Sequence, residues 1–211
     1  MAQKSDLIIT ISRETGSGGE NIGQQIARAF DMYYVDHEII AMAAEKLSAV
    51  IDEVASQDEK IESFWKTFWE YSGTAPDAYI PYPKKFPPTS FDVFNAEAEI
   101  IKHIARERPS VIIGRCGFHV LRDHPGIVKI FIHADAKFRS ERIQKLFSIS
   151  EAEALKLINR SDKERTQYIK TFTGKRWTDA TQYDICIDTG KMGIDLSAGL
   201  LIDFVKKYRS L

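Results

Sequence analysis

Cysteine is scarce in this chain of 211 residues, which contains only Cys116 and Cys186. Two cysteines exclude both a disulfide scaffold and a four-cysteine zinc site. The chain also lacks net charge, because 29 Lys and Arg residues stand against 30 Asp and Glu residues. A general nucleic-acid binder needs an excess of positive charge, so we expect no nucleic-acid partner.

Long apolar runs are missing as well. No stretch approaches the roughly 18 residues that a membrane span requires, so we expect no membrane partner. The apolar run Leu7-Ile8-Ile9 is too short for the core of a signal peptide. With 44% hydrophobic and 28% charged residues, the composition is that of a folded globular protein. We therefore expect a single cytoplasmic domain that buries a sizeable core.

Five short runs rich in β-branched residues predict strands, at about 7–11, 32–35, 110–113, 127–132 and 183–187. Their nearly continuous apolarity is typical of strands that are buried on both faces of a parallel sheet. Helical composition fills most of the intervening chain, at about 37–71, 90–107, 135–147, 150–167 and 193–209. Alternating strands and helices favour right-handed crossovers. The sequence therefore predicts an α/β fold with a five-stranded parallel sheet covered by helices on both faces.

Proline is concentrated in one segment, because five of the seven prolines fall within 73–89. This segment predicts a loop or extended connector inside an otherwise helical insertion, at about 48–107, between the second and third strands. The core of the domain is then about 1–47 and 108–211. Aromatic residues at 64–71 recur at near-helical spacing and predict a packing face, with a homodimer surface as the alternative.

A glycine cluster, Gly16-Ser17-Gly18-Gly19, separates the first strand from a helix. Backbone N–H groups of these four residues can converge on phosphate oxygens, assisted by the helix dipole. The dinucleotide-binding spacing Gly-x-Gly-x-x-Gly is not met. The P-loop pattern is not met either, because Gly19 and Glu20 stand where it requires lysine and Ser or Thr. A turn that merely connects strand and helix is the alternative.

The stretch Ser12-Arg13-Glu14-Thr15-Gly16-Ser17-Gly18-Gly19 resembles the opening of the cytidylate kinase-like proteins, a divergent branch of the P-loop nucleoside monophosphate kinases. Similar blocks follow in order at 33–40, 111–116, 128–134, 162–165, 168–177 and 183–189. The resemblance implies a P-loop kinase fold with a basic helical lid at about 150–180. It also implies transfer of a phosphoryl group from ATP, with Mg²⁺, to a small acceptor such as CMP or dCMP.

The resemblance suggests which residues meet the donor phosphates. With the loop lysine absent, Arg13 is the first candidate cation, and Lys175 is a second. The alternative for Arg13 is a surface or strand-end ion pair with Glu14 or Glu20. Asp36 matches an acidic position near Mg²⁺ and the acceptor phosphate, although an N-cap of the next helix is an equal alternative. We assign no metal ligand from the protein, and place Mg²⁺ only near Asp36.

The same resemblance suggests the acceptor and lid residues. Arg115 matches the Gly-Arg of the acceptor motif, but Cys116 replaces the Asp that contacts cytosine in nucleotide-specific members. Asp162 and Arg165 match the lid pair, so the catalytic candidates are Arg13, Asp162, Arg165 and Lys175. Further phosphate-binding candidates are Arg139, Arg142 and Arg160. For the lid cluster, a solvated charged helix face is the alternative.

Two other functions stay open at this stage. Because Cys116 departs from the cytosine-contacting Asp, the acceptor can be a metabolite other than a nucleotide. Because the loop lysine is missing and Glu20 replaces the metal-binding hydroxyl, the chain can also be a nucleotide-binding module without transfer activity.

Overall fold

A computed structural model describes residues 7–36 and 90–208. Its strands are β1 Ile8–Arg13, β2 Tyr33–Val35, β3 Ser110–Ile113, β4 Ile127–His133 and β5 Ile185–Asp188. Its helices are α1 Gly19–Phe30, α2 Ser90–Glu107, α3 Gly117–Val120, α4 Ala136–Phe147, α5 Glu151–Thr173, α6 Thr189–Met192 and α7 Ile194–Tyr208, with a 3₁₀ turn at Ala180–Gln182.

The five strands form one parallel sheet in the order β2-β3-β1-β4-β5. The first strand is therefore central, and its Ile11 is in register with Ile113 of β3 and Ile130 of β4. Because all strands run the same way, their carboxyl ends meet at one edge of the sheet. The predicted five-stranded parallel sheet is confirmed.

Successive residues of β1 pack against helices on opposite faces of the sheet. Ile9 and Ile11 belong to a buried cluster that includes residues of α1 and α7. Ile8 belongs to a second buried cluster, with residues of α2 such as Ile101. This two-sided burial explains the unbroken apolarity of β1, and it confirms that helices cover both faces.

Two element boundaries differ from the sequence prediction. β5 begins at Ile185 rather than Tyr183, because the Tyr183 N–H donates to Ala180 O in the preceding 3₁₀ turn. α5 continues to Thr173, beyond the predicted end at 167, and stops where Gly174 adopts φ 68°. A left-handed glycine is a common helix stop.

Several predicted features fall on other parts of the chain. The helix expected at 37–71, its aromatic residues at 64–71 and the proline-containing connector at 73–89 lie outside the described residues. Within 7–36 and 90–208, no helix has the length and apolarity needed to cross a membrane.

Candidate active site

The glycine turn lies at the carboxyl edge of the sheet, between the end of β1 at Arg13 and the start of α1 at Gly19. Gly16 and Gly18 have φ of 82° and 83°, a conformation that glycine adopts without steric cost. Among the described residues, the N–H groups of Gly16, Gly18 and Gly19 have no hydrogen-bond partner. Such donors at a helix N-terminus are suited to phosphate oxygens.

Ser17 differs from the glycines around it. Its backbone N–H donates to Glu14 O at 3.2 Å, and its Oγ donates to the same oxygen at 2.8 Å. Thr189 Oγ1 donates to Ser17 O at 2.8 Å, which attaches the turn to the start of α6. Ser17 therefore shapes the turn, while the glycines carry the donors of the predicted cradle.

The Arg13 side chain lies in a passage between two glycines. A Cβ added at Gly19 would lie 2.6 Å from Arg13 Cβ and 2.8 Å from its Cγ. A Cβ added at Gly114 would overlap Arg13 Nη1. Any side chain at position 19, including the lysine of a standard P-loop, would thus require Arg13 to move. Arg13 and a lysine at 19 exclude each other in this arrangement.

Two carboxylates flank the Arg13 guanidinium. Its Nη2 lies 3.2 Å from Glu20 Oε1 and 3.7 Å from Asp36 Oδ1. Glu20 is buried, with 3% of its side chain exposed. Burial, reinforced by Asp36, raises the pKa of Tyr34, whose hydroxyl donates to Asp36 Oδ2 at 3.4 Å. The ion pair with Glu20, one of the alternatives for Arg13, is therefore present, and it holds the guanidinium beside the turn.

Helix α5 contacts the turn through two residues of the predicted lid. Asp162 Oδ1 accepts the backbone N–H of Thr15 at 3.0 Å. Arg165 Nη1 donates to Thr15 Oγ1 at 2.6 Å and to Arg13 O at 3.3 Å. The residues come from sequence positions about 150 apart, and together they fix the backbone of the first half of the turn.

Helix α4 supplies two more arginines to the same place. Arg139 Nη1 bonds to Asp162 Oδ2 at 2.5 Å and to Thr15 O at 3.3 Å. Arg139 Nε lies 3.5 Å from Glu14 Oε2. Burial raises the pKa of Glu14, an effect that Arg139 opposes. Arg142 Nε lies 3.7 Å from the position that a Cβ on Gly18 would take, so both arginines border the turn.

Arg160 and Lys175 have other surroundings. Arg160 Nε bonds to Glu164 Oε1 at 3.0 Å on the exposed side of α5. Lys175 is exposed just beyond α5. Burial, Arg122 and then Lys175 lower the pKa of His119. The predicted cations that the structure brings to the turn are Arg13, Arg139, Arg142 and Arg165.

Arg115 lies in a sharp turn after β3. Gly114, Arg115 and Cys116 have consecutive positive φ values of 71°, 48° and 55°. Left-handed backbone costs free energy for residues other than glycine, and such strain is concentrated at functional sites. Arg115 Nη1 donates to the buried Glu97 Oε1 at 3.1 Å. Tyr168 OH donates to Glu97 Oε2 at 2.6 Å.

Cys116 points into an apolar environment. Its side chain is buried in a cluster that includes Phe118, Phe131, Trp177 and Tyr183. Burial, reinforced by the Glu97 carboxylate, raises the pKa of the Cys116 thiol, so the thiol stays protonated and is a packing residue rather than a nucleophile.

Sequence reasoning missed Thr15 and Glu97. Thr15 lies inside the recognised turn, but its partners come from α4 and α5. Glu97 had a detectable signal, because it occupies a core-facing position of α2 between Phe94 and Ile101, where a lone carboxylate is unusual.

Metal-binding clusters are missing from the described part of the chain. Among residues 7–36 and 90–208, no group of three or more His, Cys, Asp or Glu side chains is placed to hold a metal ion. A cation at the turn would therefore take further oxygens from its ligand or from water.

Several solved structures share this fold. An uncharacterised protein from Eubacterium ventriosum has a TM-score of 0.68 and 25% identity, over 95% of this chain and 98% of that chain. A shikimate kinase from Bacteroides thetaiotaomicron has a TM-score of 0.51 and 12% identity, over 95% and 98% of the two chains. A gluconokinase from Sinorhizobium meliloti has a TM-score of 0.52 and 13% identity, over 98% of each. The two kinases, at such low identity, show the fold alone, which is the predicted P-loop kinase type.

No curated protein gives a significant match to the chain. A model of the cytidylate kinase-like family matches residues 8–191, from β1 into α6. The match includes the glycine turn, the Arg115 turn and the whole of α5. The resemblance that the sequence motifs predicted is thereby confirmed, and this chain belongs to the cytidylate kinase-like family.

Proposed function

We propose that this protein transfers the γ-phosphoryl group of ATP to a small acceptor, most simply a nucleoside monophosphate such as CMP or dCMP. Its family and its fold are those of kinases. The observation that carries the proposal is the position of Arg13, whose guanidinium lies beside the glycine turn in a chain without the P-loop lysine.

The residues at the turn suit the phosphates of ATP. Backbone donors of Gly16, Gly18 and Gly19 lie at the start of α1, and four arginines border the turn. Phosphoryl transfer depends on positioning and on positive charge over the transferred group. We propose that Arg13 neutralises the β- and γ-phosphates, and that Arg139, Arg142 and Arg165 add charge from α4 and α5.

The charge balance beside Arg13 suits a divalent cation. Glu20 and Asp36 carry two negative charges against the one positive charge of Arg13, and this excess would repel a bare polyphosphate. Carboxylate oxygens are the ligands that Mg²⁺ prefers, so we propose that Asp36 holds Mg²⁺ near the phosphates. When bound, Mg²⁺ supplies positive charge over the phosphate oxygens.

Asp162 and Arg115 have complementary parts in this mechanism. Asp162 keeps Thr15 N–H and Arg139 in place, so that the turn is shaped before ATP binds. Arg115 binds the anionic acceptor from its strained turn after β3. We choose Arg13 over Lys175 as the replacement for the loop lysine, because Lys175 lies beyond α5 near His119.

A second candidate function is a kinase for a metabolite that is not a nucleotide. The observation in its favour is Cys116, which stands where the cytosine-contacting Asp is expected and which is buried among aromatic rings. Cys116 itself provides no carboxylate to contact a base, and its side chain is only 2% exposed. An ADP-release assay across nucleoside monophosphates separates the two candidates, because a nucleotide kinase turns over at least one of them. The absence of turnover at high enzyme concentration contradicts the first.

Replacing Arg13 by alanine tests its role in binding the donor. We expect Arg13→Ala to lower kcat/KM about 100-fold and to weaken ATP binding, since it removes a charged contact to phosphate worth about 3 kcal/mol. Steady-state assays and calorimetric titration with ATP measure both effects. Arg28→Ala is the matched control, because Arg28 is an exposed arginine on α1. Unchanged turnover in Arg13→Ala contradicts the proposal. If the parent protein shows no turnover and Arg13→Ala only weakens ATP binding, the result favours a nucleotide-binding module without transfer activity.

Exchanging the cation between positions 13 and 19 tests their mutual exclusion. Gly19→Lys alone should lower the free energy of unfolding by about 2–4 kcal/mol, because the lysine overlaps Arg13. In an Arg13→Gly background most of that loss should disappear, so the two substitutions should show a coupling free energy of about 1.5 kcal/mol or more. The double variant should also be about tenfold more active than Arg13→Gly alone. Urea denaturation and ADP release are the measurements. Gly199→Lys is the control, because position 199 is an exposed helix position with open space around it. If the effects of Gly19→Lys and Arg13→Gly on stability are additive, the two side chains do not exclude each other.

Restoring the acidic residue at position 116 tests the assignment of Cys116 to packing. Cys116→Asp should lower the free energy of unfolding by about 2–4 kcal/mol and leave CMP turnover unimproved, because the carboxyl is buried among aromatic rings. Burial raises the folded-state pKa of such a carboxyl, so the loss should be larger at pH 8 than at pH 5. Cys186→Asp, at an exposed cysteine, should change stability by less than about 0.5 kcal/mol. A stable Cys116→Asp variant with higher CMP turnover would refute this view of the pocket.

A further inference from the structure

The proposed mechanism assigns no role to one buried charged side chain, that of Glu97. Glu97 is 2% exposed, although it is a carboxylate on a helix otherwise packed through apolar residues. Glutamate is almost never fully buried unless it is paired. Both of its oxygens are engaged, since Oε1 accepts from Arg115 at 3.1 Å and Oε2 accepts from Tyr168 OH at 2.6 Å.

Packing alone does not require this carboxylate. The rings of Phe94 on α2 and Phe172 on α5 are stacked, with centroids 4.7 Å apart and planes within 7°. Phe91 makes an edge contact with the same Phe172 ring at 5.1 Å. These aromatic pairs already join the two helices. A buried ion pair adds little net stability compared with apolar residues of the same shape, so a reason for Glu97 must be sought in what it holds.

Its partners connect the two halves of the site. Arg115 is the arginine proposed above to bind the acceptor, and its side chain is only 12% exposed. Tyr168 lies on α5, one helical turn after Arg165 and two turns after Ser161. Those earlier residues bond to the Thr15 side chain in the glycine turn. One continuous helix therefore contacts the glycine turn through Ser161 and Arg165 and contacts Glu97 one turn later, through Tyr168.

We propose that Glu97 is a positioning residue, which orients the Arg115 guanidinium toward the acceptor anion and fixes that orientation relative to the donor turn through Tyr168. A guanidinium carries five N–H donors in a planar fork, so one Arg115 side chain can contact a carboxylate and an oxyanion together. This inference rests on the proposed kinase function only for the identity of the acceptor anion.

The test compares Glu97→Gln with Glu99→Gln. Glu99 lies on the same helix but is exposed and pairs with Lys102. Two readouts are used: the rate at which phenylglyoxal modifies Arg115, followed by peptide mass spectrometry, and the KM values for CMP and ATP. Tyr168→Phe is the second variant, because it keeps the ring and its packing and removes only the hydroxyl.

We expect Glu97→Gln to raise the modification rate of Arg115 about threefold or more and the KM for CMP about tenfold, as expected when a bond between charged groups is weakened. Tyr168→Phe should shift both in the same direction by a smaller factor. The KM for ATP should stay within about twofold, and Glu99→Gln should match the parent protein.

An Arg115 modification rate that is unchanged in both variants overturns the proposal. Equal losses in kcat and in both KM values, together with a lower unfolding temperature, also overturn it, because they indicate a purely structural role. If Arg115 becomes more reactive while the parent protein turns over no nucleoside monophosphate, the positioning role stands and the nucleotide-kinase proposal fails.

Discussion

The largely buried guanidinium of Arg13, with 12% of its side chain exposed, is the group on which the rest of the site depends. A side chain of that size reaches its place only because positions 19 and 114 carry no Cβ. A charge that is largely removed from water needs opposite charge nearby, which Glu20 and Asp36 provide. In this chain the cation lies at the end of the strand instead of at the start of the helix. That position requires Gly19, Gly114 and the two acids together.

The glycine turn, in turn, is held by side chains from distant parts of the chain. Within the turn, the Ser17 N–H donates to Glu14 O, but so short a turn pairs few of its own backbone groups, and most buried N–H and C=O groups in proteins are paired. Asp162 bonds to Thr15 N, Arg139 to Thr15 O, and Thr189 to Ser17 O. The glycine N–H groups are not part of this network among the described residues. The fold therefore pairs the backbone groups of Thr15 and Ser17, while the glycine N–H groups stay available for phosphate oxygens.

The strands and the glycine turn could be predicted from the sequence because their signals are local: unbroken β-branched runs, and glycines directly after one of them. The central position of β1 could not be predicted, because no local sequence pattern indicates which strands become neighbours in the sheet. Arg13 could be proposed from a missing lysine, but its passage between Gly19 and Gly114 depends on how β3 lies beside β1. Glu97 was predictable in principle, as a carboxylate on an apolar helix face, whereas its two partners come from β3–α3 and α5.

The central claim is that Arg13 performs the work of the absent P-loop lysine. The most direct measurement is a crystal structure of the protein with Mg²⁺ and a non-hydrolysable ATP analogue. The account predicts an Arg13 nitrogen within about 3 Å of a β- or γ-phosphate oxygen, with glycine N–H groups of the turn on the same phosphates. An Arg13 guanidinium that stays with Glu20 and Asp36 and does not reach the phosphates, with a different cation on those phosphates, would contradict it.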